Sequence, residues 1–352
     1  MAGAAVVRCA VLNAAITGTG FYVPPRIVTN HDLVALGVDT THDWIVQRTG
    51  IEARRFAEEG VGTADLALPA ARDAIERAGL TPGDLDLIVL ATLSPDMCFP
   101  GSGVLLQQKL GLCDGADAKY CGALDVRNQC SGFLYGLHVA TGLVRSGGAK
   151  HVLLVGAETH SAAIDLSTRG RTVSSLFGDG AGAVVVSAVQ EDRGVRGTWV
   201  GADGRFAEAL CQKVWDIKRR PFIPVDAEGV GQVDPRHLFA QMDGRLVFKH
   251  AVERMSLALM QACWSTGTDP SQIDLYFFHQ ANLRINQFVA KHLHLPEEKV
   301  VHNIQRYGNT TAATIPIMLA EAERDGRLQR GMKIAMVAFG SGFTWGSALV
   351  DW

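Results

Sequence analysis

Short apolar, β-branched runs alternate along the chain with longer segments whose apolar positions recur at helical spacing. Leu87-Ile88-Val89-Leu90, His151 to Val155, Ala183 to Ser187 and Ile334 to Ala338 read as buried strands. Ala64 to Ala78 and Phe248 to Cys263 read as helices. Strands that are apolar throughout are covered on both faces, so the alternation predicts parallel strands with helices packed on the sheets. No Pro/Ser-rich linker or low-complexity tract divides the chain. The stretch Ala4 to Ile16 is apolar but carries Arg8 and runs into Gly18-Thr19-Gly20. A secretory signal would place its charge first, so a buried strand is expected there.

The pattern repeats. Thr81-Pro82-Gly83-Asp84-Leu85-Asp86-Leu87-Ile88-Val89-Leu90 is echoed by Asp269-Pro270-Ser271-Gln272-Ile273-Asp274-Leu275-Tyr276-Phe277-Phe278, 188 residues later. Ala149 to Gly156 is echoed by Met332 to Phe339, 183 residues later. The shared order points to duplication: two α/β halves, 1–190 and 191–352, with a cleft between them as the natural site.

Composition narrows the function classes. The 352 residues carry 33 Lys plus Arg against 36 Asp plus Glu, a net charge of −3 that removes any whole-chain attraction to nucleic acid or an anionic membrane. No apolar run approaches the roughly 20 residues needed to span a bilayer. Seven scattered cysteines in so long a chain fit a reducing cytoplasm, with most thiols as small core residues.

Three residues carry candidate chemistry. Asp125-Val126-Arg127-Asn128-Gln129-Cys130-Ser131-Gly132-Phe133 reads as a strand ending in a sharp turn into a helix. A thiol there faces free N–H groups and a positive helix end, which favour thiolate; a buried structural cysteine is the competing reading. His279 follows the aromatic strand Tyr276-Phe277-Phe278, and Asn309 sits in Tyr307-Gly308-Asn309-Thr310-Thr311 at another strand-to-helix turn. Alone, they read as a structural histidine and a helix N-cap. The 183-residue offset maps Cys130 onto Ala313, within a turn of Asn309, and the 188-residue offset maps His279 onto Ala91. Duplication thus brings all three to one cleft. Gly18-Thr19-Gly20 lacks the third glycine of a dinucleotide fingerprint, since Val23 stands there. Phe177 to Ala183 leads into a strand, so tight backbone packing explains its glycines. No pair of Cys-x-x-Cys and no His-Glu-x-x-His suggests zinc.

Taken in order, Trp44 to Ile51, the Cys130 turn, Phe177 to Ala183, His279 to Arg284, Gly308-Asn309-Thr310 and Phe339 to Gly346 resemble the 3-oxoacyl-acyl-carrier-protein synthase III family. These are thiolase-fold condensing enzymes that start fatty acid synthesis. The resemblance implies an α/β fold of two duplicated halves with central mixed sheets, layered α-β-α-β-α. It implies a homodimeric cytoplasmic acyltransferase with acyl-CoA and malonyl-acyl carrier protein as substrates and no cofactor beyond the coenzyme A thioester. Cys130 would be the nucleophile, His279 and Asn309 the decarboxylation pair, and the backbone N–H groups of Cys130 and Gly340 the oxyanion hole. Trp44, Arg48 and Arg171 would hold coenzyme A, and Phe99 would shape the partner's acyl pocket across the dimer.

Lys249, Arg284 and Lys291 are candidates for docking the acidic carrier: Arg284 and Lys291 lie seven residues apart on one helical face, and Lys249 is expected to start the preceding helix. Arg127-Asn128-Gln129 replaces the small residues usual before the nucleophile. The stretch from Gly201 to Gly244, with Trp215 and Lys218-Arg219-Arg220-Pro221, exceeds that of compact members. Both departures leave the acyl substrate open and point towards a specialised paralogue in a related secondary pathway. The nearest alternative keeps acyl-Cys130 but delivers the acyl group to an alcohol, amine or carbon acid without decarboxylation. A head-to-head joining relative is marked by a partner-chain glutamate, which Phe99 and its neighbours do not supply. A nicotinamide oxidoreductase fails on the broken glycine pattern, and a binding protein has no use for Cys, His and Asn at matched turns.

Overall fold

A computed structural model of the protein describes residues 12–115, 118–214, 217–218, 223, 231 and 233–352. Trp215 and Arg219-Arg220-Pro221 of the long segment, and Ala4 to Val11 of the N-terminal stretch, lie outside the described residues.

In the first half β1 (Asn13–Tyr22), β2 (Leu87–Ala91), β3 (Gly122–Val126), β4 (His151–Glu158) and β5 (Gly180–Val189) form a sheet in the order β1-β5-β4-β2-β3. In the second, β6 (Gly194–Ala202), β7 (Leu275–Phe278), β8 (Val300–Val301), β9 (Lys333–Gly340) and β10 (Thr344–Asp351) follow the order β6-β10-β9-β7-β8. The second order is the first with every strand replaced by its counterpart. Parallel pairs (β2 with β3 and β4) and antiparallel pairs (β5 with β1 and β4) recur at the matching places. Helices repeat likewise: α1 (Thr63–Arg77), α2 (Ser102–Lys109) and α3 (Gly132–Arg145) answer to α4 (Gly244–Thr266), α5 (Leu283–His292) and α6 (Thr314–Arg324).

The layering follows from which strand faces are apolar. Val152 and Leu154 of β4 and Ile334 and Met336 of β9 face a central core filled by α3 and α6. Their alternate neighbours face outward: Leu153 and Val155 against α1 and α2, Ala335 and Val337 against α4 and α5. With side chains alternating at period two, both faces of each central strand are buried, which is why the sequence runs are continuously apolar. The result is the expected α-β-α-β-α stack. Among the described residues, no helix is long and apolar enough to cross a membrane.

The second sequence echo is displaced by one residue from its true register. Asp86 N–H donates to His151 O and Asp274 N–H to Lys333 O, so the equivalent positions lie 182 apart, at 151 and 333, and not 183. A slip of one would turn every side chain to the wrong face. Cys130 therefore answers to Ala312, and Gln129 to Thr311. Both Gln129 and Thr311 adopt left-handed backbone, φ 45° and 50°.

Gly18 and Gly20 are packing residues. A Cβ at either would lie 2.2 Å from a backbone oxygen of α1, that of Ala74 or Ala70, so α1 rests directly on β1. Gly20→Ala should destabilise the fold by about 1–3 kcal/mol through overpacking. The check is thermal unfolding of the variant beside the parent; an unchanged melting temperature would show that the helix can move away.

Candidate active site

Between β3 and α3 the chain makes a single tight turn, Gln129–Ser131, before the helix begins. Left-handed Gln129 aims the next residue at the helix end, and Ser131 locks the turn. Its hydroxyl lies 3.0 Å from the Asn128 amide and 2.7 Å from Thr344 Oγ1 on β10. Cys130 is buried here. Across from it, a Cβ at Gly340 would sit 2.6 Å from Cys130 Cβ, so only glycine lets the end of β9 pass Cys130. The N–H groups that reach the Cys130 sulfur are those of Cys130 and Ser341. Ser341 directly follows Gly340, the last residue of β9 and the one whose N–H was expected at the acyl oxyanion. The thiol also departs from expectation. Burial pushes it up to about 12, the nearby Glu158 charge adds to the rise, and the two N–H groups only partly offset them.

His279 stands one residue past β7, its N–H donating to Val337 O of β9 (2.8 Å) and its carbonyl accepting from Asn286 Nδ2 (3.2 Å). Burial lowers its imidazole to about 3, so the ring is neutral. Nδ1 lies 2.7 Å from Thr314 Oγ1, and Nε2 is buried with no partner among the described residues. When the Thr314 hydroxyl donates to Nδ1, the ring proton sits on Nε2, available to a substrate oxygen. Asn309 combines both of its readings. Its Oδ1 caps the following turn by accepting from Thr311 N–H at 2.8 Å, which leaves Nδ2 without a partner among the described residues. Thr314 Oγ1 also lies 3.0 Å from Thr311 O; the hydroxyl has one proton, and donating it to His279 Nδ1 and not to Thr311 O is what places the ring proton on Nε2.

Sequence reasoning missed three groups at the C-terminal end of β4 and on α6. Glu158 is fully buried, accepting from Ser94 Oγ (2.7 Å), Thr92 Oγ1 (3.1 Å) and Leu93 N–H (3.1 Å). Burial raises its carboxyl to about 7 despite those bonds. His160 stacks on Phe177 at 4.4 Å. A charged residue closing an apolar strand run was the available signal for Glu158. Thr314 gave none, since a threonine in a first helical turn is ordinary.

A cavity of about 680 Å³ opens beside Cys130, lined by Gln129, His160, Phe177 and Ser341 and reaching Gly170 and Val173. Arg171 stands between those last two residues. Its guanidinium lies 4.7 Å from the Trp44 ring centre and that of Arg48 4.6 Å, so the structure brings these three together. The Asn282 amide donates to Arg48 O at 3.0 Å, which sets Arg284 beside this cluster at the start of α5. Lys291 is exposed two helical turns further on. Lys249 is exposed on α4, which packs against α5 through Phe248 and Phe288. It does not start that helix: Asp243 caps it, accepting from Arg245 and Leu246 N–H, so α4 begins at Gly244. Phe99 is 83% exposed on the loop after β2 and does not line this chain's own cavity among the described residues.

With this geometry established, comparison with known proteins is specific. Residues 124–204 match the family model of 3-oxoacyl-[acyl-carrier-protein] synthase III, and residues 263–352 match that of its C-terminal part. The synthase III of Aquifex aeolicus VF5 is 40% identical over 96% of this chain and 100% of its own, with a TM-score of 0.84. That of Thermus thermophilus is 39% identical over 96% of this chain and 99% of its own, with a TM-score of 0.85. The priming β-ketosynthase of the R1128 polyketide pathway is 31% identical over 98% of both chains, with a TM-score of 0.85.

The buried histidines make stability depend on pH. His160 and His279 are lowered to about 3 and His302 to about 4, all chiefly by burial, from an ordinary 6.5. Below pH 6.5 the unfolded chain takes up these protons and the folded one does not, so stability falls on acidification. Glu158 opposes this, keeping its proton up to about 7 when folded, but it is one group against three. The melting temperature should drop from pH 7 to pH 5, each histidine contributing up to about 1.4 kcal/mol per pH unit. His302→Gln should flatten the slope, and a level or rising profile would contradict the neutral burial.

Proposed function

Because the chain belongs to the 3-oxoacyl-[acyl-carrier-protein] synthase III family of condensing acyltransferases, we propose that it loads an acyl group from acyl-CoA onto Cys130 and condenses it with malonyl-acyl carrier protein, forming 3-oxoacyl-acyl carrier protein and CO2. One observation carries this reading: among the described residues His279 Nε2 and Asn309 Nδ2 have no partner, and Asn309 caps the turn, Thr311 to Ala313, that packs against the turn of Cys130.

In the first half-reaction Cys130 Sγ attacks the thioester carbonyl, and the bond to the coenzyme A sulfur breaks as the tetrahedral oxyanion collapses. The Cys130 and Ser341 N–H groups favour that oxyanion. Because the resting thiol holds its proton firmly, deprotonation accompanies attack, and the proton ends on the departing coenzyme A sulfur. In the second, loss of CO2 leaves an electron pair delocalised onto the malonyl thioester oxygen. Neutral His279 and the Asn309 amide donate to that oxygen without protonating the carbon, each worth about 3 kcal/mol of barrier. The enolate carbon then attacks acyl-Cys130 and releases the Cys130 thiolate. Transfer to an alcohol or amine would require a base, and an imidazole lowered to about 3 is a poor one.

Trp44, Arg48 and Arg171 would bind coenzyme A, offering an aromatic face and two cations for its adenine and phosphates. Lys249, Arg284 and Lys291 would steer the acidic carrier. A homodimer is supported by β3, a sheet edge flanked by exposed Tyr120, Leu124 and Phe99.

Cys130→Ala should abolish the acyl adduct seen by intact-mass spectrometry, while Cys121→Ala should retain it. Asn309→Ala should slow CO2 release from malonyl-carrier protein by about 10²–10³-fold with acylation of Cys130 largely preserved. Equal loss of both half-reactions in a folded Asn309 variant would reduce that residue to a cap.

A further inference from the structure

The cavity beside Cys130 has a polar group that neither half-reaction uses. His160 lies on its wall, only 7% exposed, at the end of β4. Its ring is held firmly: Nε2 lies 2.6 Å from Thr311 Oγ1, and one face stacks on Phe177 at 29°. The next residue, Ser161, anchors the segment by donating its N–H to Asp179 Oδ1 at 2.9 Å. Nδ1 has no partner among the described residues. Neighbouring hydroxyls on the same wall are committed. Thr63 Oγ1 donates to Ser94 O at 2.5 Å and meets Thr159 Oγ1 at 3.0 Å, and Ser94 Oγ donates to Glu158. His160 Nδ1 is not.

Resting on the acylation of Cys130 proposed above, we infer that the acyl group accepted by this enzyme carries a hydroxyl or carbonyl oxygen, and that His160 recognises it. A plain alkyl chain filling the cavity would strip water from Nδ1 and leave it unpaired, which is costly. A hydroxyl satisfies Nδ1 whether that nitrogen donates or accepts, because a hydroxyl does both; a carbonyl satisfies it when it donates. The ring is neutral, lowered to about 3 by burial, so it offers a hydrogen bond and no charge. A site built around such a bond rejects the analogue lacking the oxygen more strongly than an apolar pocket rejects an added hydroxyl. Gln129, another polar residue beside Cys130 on the same cavity, extends this character to the mouth of the nucleophile.

The test is competitive loading. The full-length enzyme is given equimolar butyryl-CoA and 3-hydroxybutyryl-CoA, and separately hexanoyl-CoA and 6-hydroxyhexanoyl-CoA. Adducts are counted by intact-mass spectrometry, with Cys130→Ala as the blank. The oxygenated member should lead in at least one pair by about tenfold, and His160→Leu should erase that lead. His160→Gln, which keeps a hydrogen-bonding head and guards against misfolding of the leucine variant, should give an intermediate ratio. Equal loading within both pairs, or a ratio that both variants leave unchanged, overturns the assignment of His160. No adduct from any of the four thioesters overturns the acylation of Cys130 itself, and this inference with it.

Discussion

Two helix N-terminal turns must meet between the sheets with almost no side-chain volume between them, and the rest of the site depends on that contact. A Cβ at Gly132 would lie 3.5 Å from Ala312 Cβ, and one at Gly156 only 2.3 Å from Ala312 O. Gly340 closes the third side against Cys130. Left-handed Gln129 and Thr311 let both chains turn sharply enough to reach this point. Larger residues would separate the two turns and carry Cys130 away from the Thr311 to Ala313 turn that Asn309 caps.

The same closeness sets the electrostatics. Little water reaches the meeting point, so every ionisable group there is driven towards its neutral form: the histidines down, the Cys130 thiol and the Glu158 carboxyl up. In the proposed condensation, a neutral imidazole suits a site that stabilises an enolate without protonating it. With the resting thiol protonated, reactivity in that proposal arises when an acyl carbonyl brings its own developing charge to the N–H groups of Cys130 and Ser341. Burial thus favours the uncharged resting state, and the fixed N–H groups favour the charge that develops in the proposed transition state.

Duplication supplies symmetry of backbone, and function comes from breaking it. The first half places a cysteine where the second has Ala312. The second half places His279 and Asn309 where the first has Ala91 and Arg127. Identical topology thus delivers unlike chemistry to one point from opposite sides, with each sheet rigid enough to hold its own contribution.

Much of this was legible in the chain. Continuous apolar runs announced central strands because both of their faces are covered, and the two echoes revealed the duplication. Cys130 and His279 stood out because each lies where a strand gives way to a helix, whereas Asn309, expected at such a turn, follows the short helix Ile304–Tyr307. Register was not legible. The echoes looked alike at 183 residues, and only ladder hydrogen bonds, with the facing of Val152 and Ile334 into one core, set the separation at 182. Nor could the chain show that Ser341 and not Gly340 presents its N–H to the sulfur, or that Thr314 supports His279, since both depend on how separate segments meet. The direction of the Cys130 shift was likewise decided by tertiary structure: helix-end character is local and readable, whereas desolvation and the charge of Glu158 arise only when distant strands close around the thiol. Sequence by itself determined the elements, their repetition and the reactive side chains, because periodicity and residue type are local properties. Tertiary structure decided which atoms face one another and in what state of protonation, because distance and dielectric belong to the packed molecule.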